Sequence, residues 1–303
     1  MELIQLTILG SSSAVPTQTR NTSAQFLQFL HHSLLIDCGE SSIHRMIRLG
    51  LPYDRIEYIF ISHLHTDHIL GLPGLLSSFA LKNRSKPLTI FSPQGLQELL
   101  ESWIGPTDEL PYPLSWQIVD TQKSAVILDK KEFTVETIPL FHRIPTAGYL
   151  FREKRKKPNV RKEAIEKFHL SIDQIKAAKN RQPIHDSQGQ PIDSQEVIVE
   201  PPPPRSYAYC SDTMYAPSVA EKVKGVNLLY HEATYLDELK DLAQARGHAT
   251  ALEAAQIAQQ AQAGKLLLGH FSTRYKDVQS FETEAQTVFA NTVAVEDGDV
   301  YDI

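Results

Sequence analysis

The chain has 303 residues, 42% of them hydrophobic and 22% charged, proportions that fit an ordinary globular protein of one large or two small domains. No apolar run approaches the ~20 residues that cross a bilayer, and two cysteines, Cys38 and Cys210, are too few for a disulfide scaffold and fit a reducing cytosol. The net charge of −6 argues against nucleic acid as a partner only if it is spread evenly along the chain, and it is not.

Leu3 to Leu9 alternates loosely and reads as a strand. No basic segment precedes it ahead of a long apolar one, so no secretory leader is expected and a cytoplasmic location is. Residues 24–29 and 33–37 read as a strand pair ending at Asp37-Cys38-Gly39-Glu40, and Ser41 to Leu49 as a short helix closed by Gly50. Ile59-Phe60-Ile61 is a short buried strand leading into Ser62-His63-Leu64-His65-Thr66-Asp67-His68. A helix over 71–82, a strand over 87–91, a helix over 94–104 opened by Pro93, and strands near 115–119 and 132–139 follow. Beyond residue 200 the alternation resumes. Strands are expected at Ser206–Cys210, Val226–Tyr230 and Lys265–Leu268, and helices at Pro217–Lys224, Leu236–Arg246, Thr250–Ala263 and Phe281–Phe289. Helices alternating with strands predict an α/β layered fold.

Residues 152–200 break this pattern with fewer apolar positions, loop signals such as Gln182-Pro183, and the run Pro201-Pro202-Pro203-Pro204 at the end. Arg152 to Arg181 holds eleven Lys/Arg against four acids, a local +7 that leaves −13 on the rest. A single domain over 1–303 with an inserted basic arm at about 152–200 is therefore expected, the arm being a surface that a polyanion can read or a solvated helical projection with no partner.

The histidine stretch has the chemistry of a metal site. His63 and His65, two apart on an extended segment, can point the same way and chelate one ion, while Asp67 and His68 aim at a second position. Nitrogen and oxygen donors of this kind suit zinc first and manganese or iron second. Other apolar strands also end in metal-type residues: Tyr207-Ala208-Tyr209 before Asp212, Leu228-Leu229-Tyr230 before His231-Glu232, Leu266-Leu267-Leu268 before His270, and Thr137 to Phe141 before His142. Loops beyond strand ends are where ligands collect in layered α/β proteins. A lone histidine beside an apolar run usually packs, but the coincidence repeats too often here for that reading. His231 either orients a ligand from behind or packs. His31, His32, His44, His169 and His185 lie in polar or loop contexts and are assigned no role.

Ile36-Asp37-Cys38-Gly39-Glu40, the His63–His68 motif with Gly71-Leu72-Pro73-Gly74, Phe141-His142 leading to Gly148-Tyr149, and Ser211-Asp212-Thr213 resemble the metallo-β-lactamase superfamily. His231-Glu232-Ala233-Thr234, Gly247-His248-Ala249-Thr250 and Gly269-His270-Phe271-Ser272 make the resemblance specific to the ribonuclease Z family of tRNA 3′-processing endonucleases. The resemblance implies a four-layer αβ/βα sandwich with two zinc ions. His63, His65 and His142 would hold the first ion, Asp67, His68 and His270 the second, and Asp212 would bridge them. It implies that Asp67 orients the attacking hydroxide and takes its proton, and that Glu232 and His248 protonate the leaving oxygen. Apart from the resemblance, Arg274, four residues past His270, is either a contact for a substrate phosphate or an ordinary surface arginine. The partner implied is precursor tRNA, and the assembly a homodimer. Two departures stand out: no Gly-Pro dipeptide lies between 152 and 200, where the family's arm carries one, and Ser41-Ser42 replace the usual Gly-Thr. A phosphodiesterase acting on small diesters of the cyclic-nucleotide type would use the same metal residues. A non-catalytic nucleic-acid-binding protein with a structural metal would need neither Asp67 nor the donor pair.

Overall fold

The computed structural model describes residues 3–186 and 188–303. The chain forms two compact units, one of Met1–Lys130, Thr134–Phe151 and Ser206–Ile303, the other of Lys131–Phe133 and Arg152–Arg205.

The larger unit is built on two seven-stranded sheets. The first runs in the order Val300–Asp302, Ile4–Gly10, Ala24–Phe29, His32–Cys38, Ile56–Phe60, Leu88–Ser92, Leu114–Ile118. Its N-terminal strands pair antiparallel, and it becomes parallel from His32–Cys38 onward. The second runs Thr292–Ala294, Lys265–Gly269, Leu228–Glu232, Ser206–Cys210, Ala147–Glu153, Phe133–Pro139, Val126–Asp129, the first four of these pairing in parallel. Parallel strands covered on both faces read as continuous apolar runs, which is why Leu266-Leu267-Leu268 and Tyr207-Ala208-Tyr209 lack polar alternation.

Helices cover the outer face of each sheet. Ser42–Arg48, Leu72–Leu81 and Leu96–Ile104 bury Met46, Leu75, Leu76, Phe79 and Leu100 against Leu35, Ile59 and Ile90. Pro217–Lys222, Ala251–Ala261 and Gln279–Gln286 do the same for the second sheet, where Ala254, Ala255 and Ala258 present a thin helix face to Leu229, Leu266 and Leu268. The inner faces meet on an aromatic seam: Phe60 packs on Phe91, Tyr149 and Phe151 with ring centroids 4.9, 5.2 and 5.3 Å away. Buried phenols need partners, and these reach across the seam. Tyr149 donates to the Ile61 carbonyl at 2.6 Å, Tyr209 to Asp37 at 2.6 Å, and Tyr207 to Gln25. The result is the four-layer αβ/βα sandwich.

Several boundaries differ from the sequence reading for physical reasons. The helix expected over 71–82 is Leu72–Leu81, but a separate helical turn, Thr66–Ile69, precedes it, so Asp67 and His68 sit on a helical turn rather than a loop. Gly71 joins the pieces against the preceding strand end, where a Cβ would lie 2.2 Å from the Gly39 carbonyl oxygen. Leu236–Arg246 opens as a 3-10 turn, Asp237–Leu239, and turns α-helical only over Lys240–Arg246; the last helix is Gln279–Gln286. Val126–Asp129, Ala147–Glu153, Thr292–Ala294 and Val300–Asp302 are strands the sequence reading left unassigned.

The smaller unit is structured rather than a loop. Helices Lys162–Phe168 and Ile172–Lys179 and the ribbon of Asn159–Val160 with Ile198–Val199 enclose Ala164, Leu170, Ala178, Ile184 and Val197. Ser171 and Gln174 form a capping box on the second helix. Over 152–205 the charge is +4, since Asp186, Asp193, Glu196 and Glu200 offset part of the basic run. Two of these acids are paired, Glu200 with Arg181 at 2.7 Å and Glu196 with Lys167 at 2.6 Å.

Candidate metal centre

The parallel strands deliver their polar ends to one side of the sandwich. The extended segment after Ile56–Phe60 brings His63 Nε2 to within 3.0 Å of His65 Nδ1, and His142 Nε2 lies 3.3 Å from that same His65 nitrogen. Asp212, two residues beyond Ser206–Cys210, places Oδ2 3.6 Å from His63 Nε2 and 3.8 Å from His142 Nε2. Its other oxygen lies 3.4 Å from His68 Nε2 and 3.2 Å from His270 Nε2. Asp67 Oδ2 is 3.5 Å from both of those nitrogens. The ligand atoms of His63, His65, His142 and Asp212 lie within 4.8 Å of one another, and so do those of Asp67, His68 and His270. These are the two groups of the sequence reading, with Asp212 between them.

The outward-facing ring nitrogens explain why the inward ones are free to ligate. His68 Nδ1 donates to Asp37 at 2.8 Å and His142 Nδ1 to the Gly247 carbonyl at 2.7 Å. Ser62 Oγ gives its own proton to Asp37 at 2.8 Å and so accepts from His63 Nδ1 at 3.0 Å. In the same way Thr234 Oγ1 donates to Glu232 at 2.8 Å and accepts from His270 Nδ1 at 3.0 Å. Each ring is thereby fixed in the tautomer whose Nε2 lone pair faces the cluster. His68 Nε2 and His270 Nε2 are buried with no hydrogen-bond partner among the described residues. A bare imidazole lone pair in such a place is costly unless something electropositive meets it.

Charge points the same way. Asp37, Asp67, Asp212 and Glu232 are all buried, the most exposed of them at 8%. Burial would raise the Asp67 and Asp212 carboxyls, yet His68 and His270 hold both far below the ordinary carboxylate range. Burial and the adjacent His68 push His63 well down into the neutral, ligating form. His68 is pulled well above its usual value against burial, by Asp67, Asp212 and Asp37. A cluster that must draw in a proton to offset its carboxylates also suits a divalent cation, which competes for the same nitrogen. The donor set therefore fits a metal cofactor.

Glu232 and His248 stand at the edge of this cluster. Glu232 accepts from the Thr213 and Thr234 amides at 2.9 and 3.0 Å and meets His248 Nδ1 at 2.8 Å. Burial disfavours charge on both, but each stabilises the other's ion. Glu232 stays below its usual value and His248 is raised to about 9. His248 precedes the Ala251–Ala261 helix, whose Thr250–Glu253 capping box fixes that approach. Gly247 must be glycine: its φ is +79°, and a Cβ would come 2.8 Å from His142 Nδ1.

An open cleft of about 220 Å³ leads to the cluster, lined by Ser13, Ala14, Asp67, Arg143, Asp212 and His248 among others. The Ala14 amide donates to Asp67 Oδ2 at 2.8 Å. Arg143 is the guanidinium in that lining; Arg274 is exposed and is not part of it. His231 belongs to neither ligand group: it is fully buried with Nδ1 on the Glu232 carbonyl at 2.7 Å, and its Nε2 has no hydrogen-bond partner among the described residues. The sequence reading gave no role to Asp37, Ser62, Thr234 or Arg143. Asp37 carried the same signal as the ligands, a carboxylate closing an apolar strand, whereas the hydroxyls have no signature of their own. Asp37→Asn should weaken metal affinity ~10–100-fold, because the amide no longer anchors His68 as an anion does. Titration of the metal-free protein with zinc against a competing chelator measures this, and an unchanged affinity would remove Asp37 from the site.

The chain is 38% identical over 294 residues to the ribonuclease Z of Bacteroides fragilis, covering 97% of each. Its fold superposes on the short form of human tRNase Z with a TM-score of 0.68 and 25% identity, over 98% of both chains. The metallo-β-lactamase fold protein YhfI from Bacillus subtilis gives a TM-score of 0.71 at 20% identity, covering 99% of this chain and all of that one. Residues 4–109 also match the family described as Anti-Pycsar protein Apyc1.

Proposed function

Since this chain belongs to the ribonuclease Z family, we propose that it is a zinc-dependent endoribonuclease that removes the 3′ trailer from precursor tRNA and leaves a 3′-hydroxyl on the tRNA. His63, His65 and His142 are assigned to one ion, Asp67, His68 and His270 to the other, and Asp212 to both. Two zinc ions, or manganese or iron in their place, would lower the pKa of a bound water toward ~7 and offset the negative charge of the phosphodiester.

The remaining steps belong to side chains. Asp67, held by the Ala14 amide, is assigned to orient the attacking water and accept its proton. His248, kept charged by Glu232, is assigned to donate a proton to the departing 3′-oxygen. Arg143 is better placed than Arg274 to hold an oxygen of the scissile phosphate, since it lines the cleft; Arg274 is left for a phosphate farther along the strand. The observation that carries the reading is the Glu232–His248 pair beside the ligand cluster, because a structural metal site needs no proton donor.

Purified protein loaded with zinc, incubated with a 3′-extended precursor tRNA, should cut just after the discriminator, the unpaired nucleotide that follows the acceptor stem. Absence of cleavage of every 3′-extended tRNA, with two ions bound, would end the reading; turnover of a small diester alone would favour the small-substrate alternative. The basic arm is assigned to tRNA backbone binding, in a homodimer. Deleting 154–198 should lower precursor cleavage by ~10²-fold or more at moderate salt, with turnover of a small chromogenic diester within ~3-fold of the intact protein. Equal losses on the two substrates would mean that the arm supports the fold rather than the substrate. Among the described residues no helix is long and apolar enough to cross a membrane.

A further inference from the structure

A second cleft, of about 530 Å³, adjoins the first at His248. Its walls are Phe141, Met214, Tyr215, Ala216 and Pro217, with Gln244 at one side. Most of this surface is apolar. Its one lysine, Lys240, is paired with Glu253 at 3.2 Å and its imidazole, His248, with Glu232 at 2.8 Å, so among the described residues no unpaired cation lines it to attract a phosphate. The walls are held in place: Phe141 N donates to Thr213 Oγ1 at 3.0 Å, Met214 N to the Phe141 carbonyl at 2.8 Å, and Gln260 Nε2 to the Tyr215 hydroxyl at 2.9 Å. Phe141 is 47% exposed although it directly precedes His142, so a large aromatic face lies open beside the reaction centre.

The volume falls within the ~300–1,000 Å³ of small-ligand clefts. Which part of a substrate lies there follows from the proton donor. A donor must come within about 2.6–3.2 Å of the oxygen it protonates. On the reading proposed above, that oxygen is the 3′-oxygen of the nucleotide retained on the tRNA. The nucleoside carrying it is thus tethered to His248, with its phosphate in the first cleft. We propose that the second cleft receives this nucleoside, the discriminator, and that Phe141 is the face on which its base stacks. The inference rests on the endonuclease reading and adds the specificity surface to it. A purine offers Phe141 more area than a pyrimidine, so the cleft favours purine discriminators.

A precursor tRNA with an abasic discriminator tests this against the intact one, in the wild type and in Phe141→Leu, with bound metal counted in both proteins. Stacking on an aromatic side chain contributes ~1–3 kcal/mol per base, so base removal should lower wild-type kcat/KM about 5–150-fold. In Phe141→Leu the same removal should cost less than ~3-fold, because the platform is already gone. Should the leucine variant lose metal, Met214→Ala, on the same wall beside Phe141, replaces it in the same cycle and should likewise narrow the cost of base removal. Equal cost of base removal in wild type and variant, or no cost in the wild type, overturns the proposal. If the wild type does not cut the intact precursor at all, the endonuclease reading itself has failed, so the two failures are distinct.

Discussion

Asp212→Ala should lower kcat/KM on precursor tRNA by ~10³–10⁴-fold, remove at least one tightly bound ion per chain, and lower the stability of the metal-free protein. Among the described residues Asp212 is the one side chain whose two oxygens approach both ligand groups, one toward His63 and His142 and the other toward His68 and His270. Losing it deprives both positions of their shared anion, and metal charge on a phosphoryl centre contributes several kcal/mol, which is the fold-change above. The stability half follows from the same charges: the imidazoles that hold the Asp212 carboxyl far below its ordinary range lose their shared anion, and a buried ion left without a partner destabilises. What vanishes is the rise in Tm on adding zinc, because a ligand stabilises only in proportion to its affinity for the folded state. Thermal unfolding with and without zinc, beside metal counts, checks it. A variant that keeps two ions and a full zinc-induced Tm shift would show that Asp212 is not a ligand.

What the sequence made legible was decided by how each residue announces itself. A titratable side chain at the end of an apolar run stands out because few strands end that way by chance, and His63, Asp212, Glu232 and His270 all do. Their convergence follows from parallel strands that deliver their ends to the same edge of each sheet. Ser62 and Thr234 left no such trace. Each acts as a relay whose hydroxyl accepts from an imidazole only because its proton is committed to a carboxylate, Asp37 for Ser62 and Glu232 for Thr234, an arrangement that only the folded chain sets up. The strands Val126–Asp129 and Val300–Asp302 were hidden for a different reason: they are edge strands, half-exposed, with too few apolar positions to show a period. The small unit around Ala164 and Val197 has a core of scattered single residues, and its charge run masked the helices that carry them. Phe141 was read only as the residue leading to His142; its exposure is a property of the fold and has no sequence counterpart.

His248→Ala should lower kcat on precursor tRNA by ~10²–10⁴-fold with KM and metal content nearly unchanged, the signature of an interaction made in the transition state alone. Glu232→Gln should fall short of that. The amide keeps a hydrogen bond to His248 Nδ1 but carries no charge to hold the imidazolium, and its NH₂ group must face an amide of Thr213 or Thr234 that the carboxylate now satisfies. A loss of ~10–10²-fold is expected, together with some loss of thermal stability. The nature of the leaving group separates proton donation from mere packing. A ribose 3′-oxygen departs as a strongly basic alkoxide and needs a proton, whereas a nitrophenolate leaves without one. The His248→Ala defect should therefore shrink to within ~10-fold on a nitrophenyl diester, while the Asp212→Ala defect persists on both substrates, because the metal positions serve any diester. If His248→Ala lost the same factor on the nitrophenyl and tRNA substrates, the imidazole would be positioning the phosphate or the ions. The proton for the leaving oxygen would then have to come from elsewhere in the cleft.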